Sequence, residues 1–278
     1  MAVPYKAPVK DIVFGYEVID SYNVLNKISA FSDFSEDIVI PTMEECAKFS
    51  EEVLAPINAI GDQQGATIKD GVVTMPEEFV DAYKKFAEAG WASISLPSEI
   101  GGGGMPITLS GGTLEILSTA NLAFGLAPGL SAGAISAINF HGNQEQKDKF
   151  LPKLVSGEWT GTMNLSEPQS GSDLGTITTK AEPQEDGSYK ITGTKVWITF
   201  GEHNMTENII HLVLAKVPGS PEGTKGISMF IVPKYIVNDD GSIGDSNNVS
   251  CISIEEKLGI RASPTCVMEY DGSVGYLV

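Results

Sequence analysis

Asn143-Gln144-Glu145-Gln146-Lys147-Asp148-Lys149-Phe150-Leu151-Pro152-Lys153-Leu154-Val155-Ser156-Gly157 is the stretch that divides this chain. Asn143 can cap a helix with an acidic first turn, Phe150, Leu151 and Leu154 give that helix one apolar face, and Gly157 ends it. Upstream the helical period persists. In residues 37–60, Ile38, Met43, Cys46, Phe49, Val53, Ile57 and Ile60 recur mostly at steps of three and four. Residues 77–89 place Phe79, Val80, Tyr83 and Phe86 on one face, with Gly90 as the stop. Residues 109–124 and 130–140 are apolar and Ala-rich, as in helices buried on several sides.

Downstream of Gly157 the period shortens to two or to β-branched runs, at residues 209–215, 226–232, 249–254 and 265–270. Asp186-Gly187, Pro218-Gly219, Asp239-Asp240-Gly241 and Asp271-Gly272 punctuate them as turns, which suits an antiparallel meander or barrel rather than βαβ units. The expectation is therefore an α+β chain: an N-terminal all-α domain over 1–157 and a β-barrel-like antiparallel middle domain over 158–278. Ser273-Val274-Gly275-Tyr276-Leu277-Val278 reads as the start of another strand without a polar tail, so a truncated chain with a continuation beyond Val278 is expected.

The composition bounds the function. A chain of 278 residues with 42% hydrophobic and 19% charged residues can bury a substantial core. A net charge of -18 disfavours a nucleic-acid surface, which needs clustered Lys and Arg, but leaves local anion sites built from backbone N–H groups open. Cys46, Cys251 and Cys266 have no C-x-x-C spacing, so neither a disulfide framework nor a zinc site is indicated and a reducing, cytoplasmic setting fits. Met1 to Pro8 lack the apolar core of a signal peptide, and no later stretch reads as the roughly 20 apolar residues of a membrane span, so a soluble protein is expected.

Two short segments carry the chemistry. In Met163-Asn164-Leu165-Ser166-Glu167-Pro168-Gln169-Ser170-Gly171-Ser172-Asp173, Pro168 biases Glu167 towards an extended conformation, Gly171 permits a positive φ, and three serines present hydroxyls beside backbone N–H groups. Such a loop can cradle a pyrophosphate and the polar edge of a flavin; a capped turn uses the same residues. In Lys195-Val196-Trp197-Ile198-Thr199-Phe200-Gly201, alternation puts Trp197 and Thr199 on one strand face, an aromatic plane beside a hydroxyl. A core Trp next to an ordinary strand Thr is the plain alternative. His141, His203 and His211 have no spacing suited to a metal or a Ser-His-Asp triad, and Gly101-Gly102-Gly103-Gly104 lacks the Lys-Ser/Thr of a P-loop, leaving a flexible turn as its default.

The two segments together resemble the flavin-binding signature of the acyl-CoA dehydrogenase family, "T/S-E-P-x-x-G-S-D" followed by "K-x-W-I-T". Trp91 to Pro97 running into Ile100-Gly101-Gly102-Gly103-Gly104 is similar to that family's "G-W-x-x-x-x-x-P-x-x-x-G-G" passage, Asn143 to Gly157 to its "Q-K-x-x-x-L-P-x-L-x-x-G" helix, and Lys257 to Thr265 to its "K-x-G-x-R-x-S" strand entry. The wording "R-A-S-P-T-C" looks most like the long bacterial branch that includes methylmercaptopropionyl-CoA dehydrogenases. The resemblance implies FAD as cofactor, an acyl-CoA thioester as substrate, an electron-transfer flavoprotein or similar acceptor as partner, and a homodimer or homotetramer. It implies that Met163, Asn164, Leu165, Ser166, Glu167, Pro168, Gln169, Ser170, Gly171 and Ser172, with Trp197, Ile198 and Thr199, line FAD, and that Ser172 also touches the acyl-CoA. It also implies that the proton-abstracting Glu belongs to a C-terminal helical bundle missing from these 278 residues, so Glu167 is expected to serve the loop rather than to act as base. Phe200 departs from the family's Asn at that position. The alternative expectation is a non-catalytic flavin- or partner-binding module derived from this family.

Overall fold

A computed structural model describes residues 4–278; Met1, Ala2 and Val3, part of the stretch read above for a signal peptide, lie outside the described residues. The helices are α1 (Val9–Val18), α2 (Ser21–Leu25), α3 (Glu36–Phe49), α4 (Ala55–Gln64), α5 (Glu77–Glu88), α6 (Ile107–Ala120), α7 (Leu122–His141) and α8 (Gln144–Ser156). A hairpin of β1 (Thr67–Lys69) and β2 (Val72–Thr74) separates α4 from α5. The strands after α8 are β3 (Trp159–Asn164), β4 (Lys180–Pro183), β5 (Tyr189–Thr199), β6 (Asn208–Lys216), β7 (Ile227–Pro233), β8 (Tyr235–Val237), β9 (Ile243–Ser246), β10 (Val249–Ile254) and β11 (Thr265–Leu277).

The order of helices before strands matches the periodicities. Asn143 caps α8 through a reciprocal pair in which its side chain accepts from Gln146 N–H and the Gln146 side chain accepts from Asn143 N–H; Gly157, at φ 79°, ends the helix. Residues 37–60 run as α3, a single π-helical turn at Ser50–Leu54, and α4. Pro56, which has no N–H to give back to the preceding turn, is the second residue after that widening. The buried face uses Val39, Met43, Cys46, Ser50, Leu54 and Ile57, so Ile38 and Phe49 sit at its margins.

Several expectations need correction. The first 157 residues are not all helical, because the β1–β2 hairpin intervenes and sends Val73 into the core of the strands. The α6–α7 break falls at Asn121, not within residues 125–129: its side chain accepts from Phe124 N–H and caps α7, which then runs through Pro128. The resulting 20-residue α7 is long and apolar enough, by length and composition, to cross a membrane, contrary to the sequence reading; its Ala134, Ile135 and Ile138 are instead buried against α8 and β3.

The sheet is not purely antiparallel. β3 runs parallel to β6, and β4 touches β6 in parallel at Lys180 and Lys216. Turn dipeptides mark local hairpins, whereas parallel partners are joined by long connections without a local signature. The parallel β4–β6 contact and the antiparallel β11–β5, β5–β4, β6–β7 and β7–β11 pairings together run in a ring, β11–β5–β4–β6–β7–β11, with β10 and β3 added outside it. Asp271-Gly272 marks an irregularity in β11 rather than a turn, and residues 273–277 finish that strand instead of starting a new one, with Tyr276 opposite Ile231.

The glycine run is not a flexible turn either. Gly102, Gly103 and Gly104 donate to the carbonyls of Pro97, Ser93 and Leu96, and a Cβ on Gly103 would stand 2.6 Å from the Ile94 carbonyl oxygen. Only a side-chain-free segment can lie that close to its neighbour's backbone.

Candidate functional site

The Ser166–Asp173 passage leaves the end of β3 as an irregular loop, and the Trp197 segment closes β5. They meet through backbone and side chain. Val196 N–H donates to the Ser166 carbonyl at 3.0 Å, and Thr162 of β3 donates from Oγ1 to the Thr199 carbonyl at 2.7 Å. Within the loop, Glu167 and Ser170 exchange two backbone hydrogen bonds, and Ser170 Oγ donates to the Asp173 carbonyl, so the turn is braced from inside.

Glu167 is the anchor. Its carboxylate is buried and accepts from Thr178 N–H and Oγ1, Thr179 N–H and Oγ1, Gln169 Nε2 and Lys195 Nζ. Burial pushes its pKa up, but the donors from Thr179, Thr178 and Lys195 outweigh it and hold the group down to about 2. Lys195 is fully buried, and burial pulls its ammonium down while Glu167 holds it up. The loop carboxylate is thus consumed by the protein itself.

The remaining candidates divide by exposure. Pro168, Gln169, Gly171 and Ser172 are exposed, Met163, Leu165, Ser166 and Thr199 are half-buried, and Asn164, Ser170 and Ile198 are buried. Trp197 is 58% exposed, which discards the reading of a core Trp. Its φ of 60° lies in the left-handed region, where the strand bulges between the pairs Ile198–Cys266 and Lys195–Met268. Phe200 follows at φ 52° with its ring buried in the helical core, so the side chain standing where the resemblance expects Asn is used for packing. Strained non-glycine residues three positions apart in one segment are the kind of backbone that persists where the surroundings over-determine it.

Among the described residues the hydroxyls of Ser166, Ser172 and Thr199 have no hydrogen-bond partner, and neither do the N–H groups of Ser166, Gly171 and Ser172. Beside Gly171 a Cβ would meet only open space. The free Ser166 donor and the exposed indole therefore lie close together, joined through the Val196–Ser166 backbone bond.

Beneath them lies support that the sequence reading did not include. Tyr270 OH donates to Asn164 Oδ1 at 2.8 Å, and Asn164 Nδ2 lies 3.3 Å from His211 Nδ1. Burial, with Lys234 nearby, holds His211 down to about 3, so its ring is neutral, and Nε2 has no partner among the described residues. Thr178, Thr179, Lys195, Tyr270 and His211 come from distant positions, and only Lys195 belongs to a recognisable motif. No group of three or more His, Cys, Asp or Glu suited to a metal occurs among the described residues. A separate apolar cavity of about 340 Å³ lies between α6, α7 and residues 91–100, lined by Trp91, Leu96, Leu117 and Ile135; none of the four glycines lines it.

Two family models match, the acyl-CoA dehydrogenase N-terminal domain over residues 41–158 and the acyl-CoA dehydrogenase middle domain over residues 162–273. The chain is 46% identical over 274 residues to 3-methylmercaptopropionyl-CoA dehydrogenase of Ruegeria pomeroyi, covering 99% of this chain and 47% of that protein. It is 37% identical to a butyryl-CoA dehydrogenase of Syntrophomonas wolfei, covering 99% and 46% respectively. The chain thus spans about half the length of these curated relatives. Among solved structures, an acyl-CoA dehydrogenase of Bacillus anthracis complexed with FAD superposes with a TM-score of 0.68 at 27% identity, over 87% of this chain and 37% of that one.

Proposed function

The chain belongs to the acyl-CoA dehydrogenase family, and from that premise we propose that it holds FAD and one side of an acyl-CoA thioester for α,β-dehydrogenation to the trans-2-enoyl-CoA. Its relatives by sequence are oxidoreductases of this kind. The observation that carries the proposal is the loop pair: free donors on Ser166, Gly171 and Ser172, a free hydroxyl on Thr199 and an exposed Trp197, held together by the buried Glu167–Lys195 pair.

These residues fit a planar, phosphate-bearing cofactor. The N–H groups of Gly171 and Ser172 suit a phosphate oxygen, the indole of Trp197 suits an aromatic ring face, and the hydroxyls of Ser166 and Thr199 suit ring heteroatoms. FAD, when bound, supplies the hydride-accepting centre. Ser172 orients the substrate as well. Met163, Leu165, Pro168 and Gln169 shape the edges of the site, while Asn164, Glu167, Ser170 and Ile198 keep it in position from below. No residue of the chain is assigned the base; Glu167, held near pKa 2 and fully engaged, is unsuited to accept a proton near neutrality.

The proposal includes a division at residues 1–157 and 158–278, and the ring of strand pairings supports reading the second part as barrel-like. Three buried free cysteines accord with a cytoplasmic setting. An electron-transfer flavoprotein or similar acceptor and a homodimeric or homotetrameric assembly complete it. The Ruegeria relative makes short sulfur-containing acyl-CoAs the first substrates to try, beside butyryl-CoA.

Purifying the intact protein tests this directly. Bound flavin absorbance that bleaches anaerobically on adding one of these acyl-CoAs is expected. Flavin that stays oxidised with every thioester favours a binding module, and absence of flavin binding overturns the proposal.

A further inference from the structure

We infer that Lys195 is a positioning residue that aims the Ser166 N–H at the cofactor by holding the preceding carbonyl inward. This rests on the flavin reading above. Lys195 Nζ donates to the Leu165 carbonyl at 3.0 Å as well as to Glu167 Oε1 at 2.9 Å. In a trans peptide the C=O and N–H point in opposite directions, and none of the described peptide bonds is cis. Fixing the Leu165 oxygen on Lys195 therefore turns the Ser166 N–H away from the protein interior.

The neighbouring groups are already committed. Ser166 C=O accepts from Val196 N–H at 3.0 Å, and Glu167 N–H donates to Ser170 C=O at 2.8 Å. The Ser166 N–H is left over beside an equally unpartnered hydroxyl, at the edge where Trp197 is exposed.

Stability alone does not account for this arrangement. Removing an ammonium and a carboxylate from water costs so much that apolar residues of similar volume often fold as well or better. What an apolar pair cannot reproduce is the grip on the Leu165 carbonyl. The charged pair thus serves aim, and Glu167 serves it by keeping the buried ammonium compensated.

The test compares the intact protein with Lys195→Met/Glu167→Gln, which leaves no uncompensated buried charge, and with Thr178→Val, which loosens Glu167 but leaves Lys195 on Leu165. Apo-protein unfolding temperature, FAD Kd by fluorescence quenching and the visible spectrum of bound flavin are read for each. The double variant is expected to unfold within a few degrees of the parent yet to bind FAD at least tenfold more weakly, with a displaced flavin band. Thr178→Val is expected to lower the unfolding temperature while keeping the parent's Kd and spectrum. A double variant with the parent's Kd and spectrum overturns the inference. So does a double variant that fails to fold, or a Thr178→Val that weakens FAD equally. A parent that binds no FAD overturns the flavin reading instead.

Discussion

Lys195 Nζ and Glu167 Oε1 lie 2.9 Å apart, both side chains withdrawn from solvent, and this one contact joins a loop after β3 to the end of β5. Breaking such a pair from one side leaves a buried charge without compensation, which is far more damaging than replacing both partners.

The pair also sets an acid response. Glu167 has its pKa lowered from 4.5 to about 2, so its contribution to stability is complete above the ordinary carboxylate range and is lost as pH falls through 4.5 towards 2. Urea unfolding of parent and Glu167→Gln across that range should show the parent losing more stability than the variant, by a few kcal/mol in order of magnitude. Parallel curves would remove Glu167 from the acid transition.

His203 and His211 respond at higher pH. Burial holds both down to about 3, against an ordinary value of 6.5, so the folded state prefers the neutral rings. Their stabilisation is present above pH 6.5 and declines as pH drops from there towards 3. Each contributes a slope of about 1.4 kcal/mol per pH unit once its unfolded ring is protonated. His211→Gln should remove one such slope between pH 6 and pH 4 in equilibrium unfolding; an unchanged slope refutes the assignment.

Gly161 sets the contact between β3 and α7. A Cβ there would overlap the side chain of Ala134, with no backbone strain of its own to relieve. Gly161→Ala should therefore lower stability by about 1–3 kcal/mol through overpacking, read as a fall in Tm. Ala134→Gly added to it should recover part of the loss.

Trp197 separates stability from binding. Its indole is exposed and its φ is 60°, a conformation glycine adopts freely. Trp197→Gly should leave the apo protein within about 1 kcal/mol of the parent, because relief of strain offsets added chain entropy. FAD binding should weaken about tenfold, roughly 1.4 kcal/mol, for loss of the aromatic surface. Equal affinity of parent and variant in a fluorescence titration would show that the indole lies off the cofactor site.

Much of the candidate site was legible because its residues are close in sequence. The loop from Met163 to Ser172 and the Trp197–Thr199 segment stand out by turn chemistry and by an aromatic beside a hydroxyl. Their supports were not legible: Thr178 and Thr179 look like ordinary polar residues, and Tyr270 is separated from Asn164 by 106 positions. The left-handed backbone of Trp197 was equally hidden, because a bulge depends on the partner strand and not on the residue that adopts it.

The sequence by itself determined the change from mainly helices to strands after Gly157, though not the β1–β2 hairpin, together with the capped end of α8 and the two polar segments, since hydrophobic period, capping and turn preference act over a few residues. Tertiary structure decided the parallel pairing of β3 with β6, the packing of an apolar α7 into the core, and the inward turn of Glu167 onto Lys195, Thr178 and Thr179. Those outcomes depend on which distant groups can compensate one another once water is excluded, and that balance exists only when the chain has closed around them.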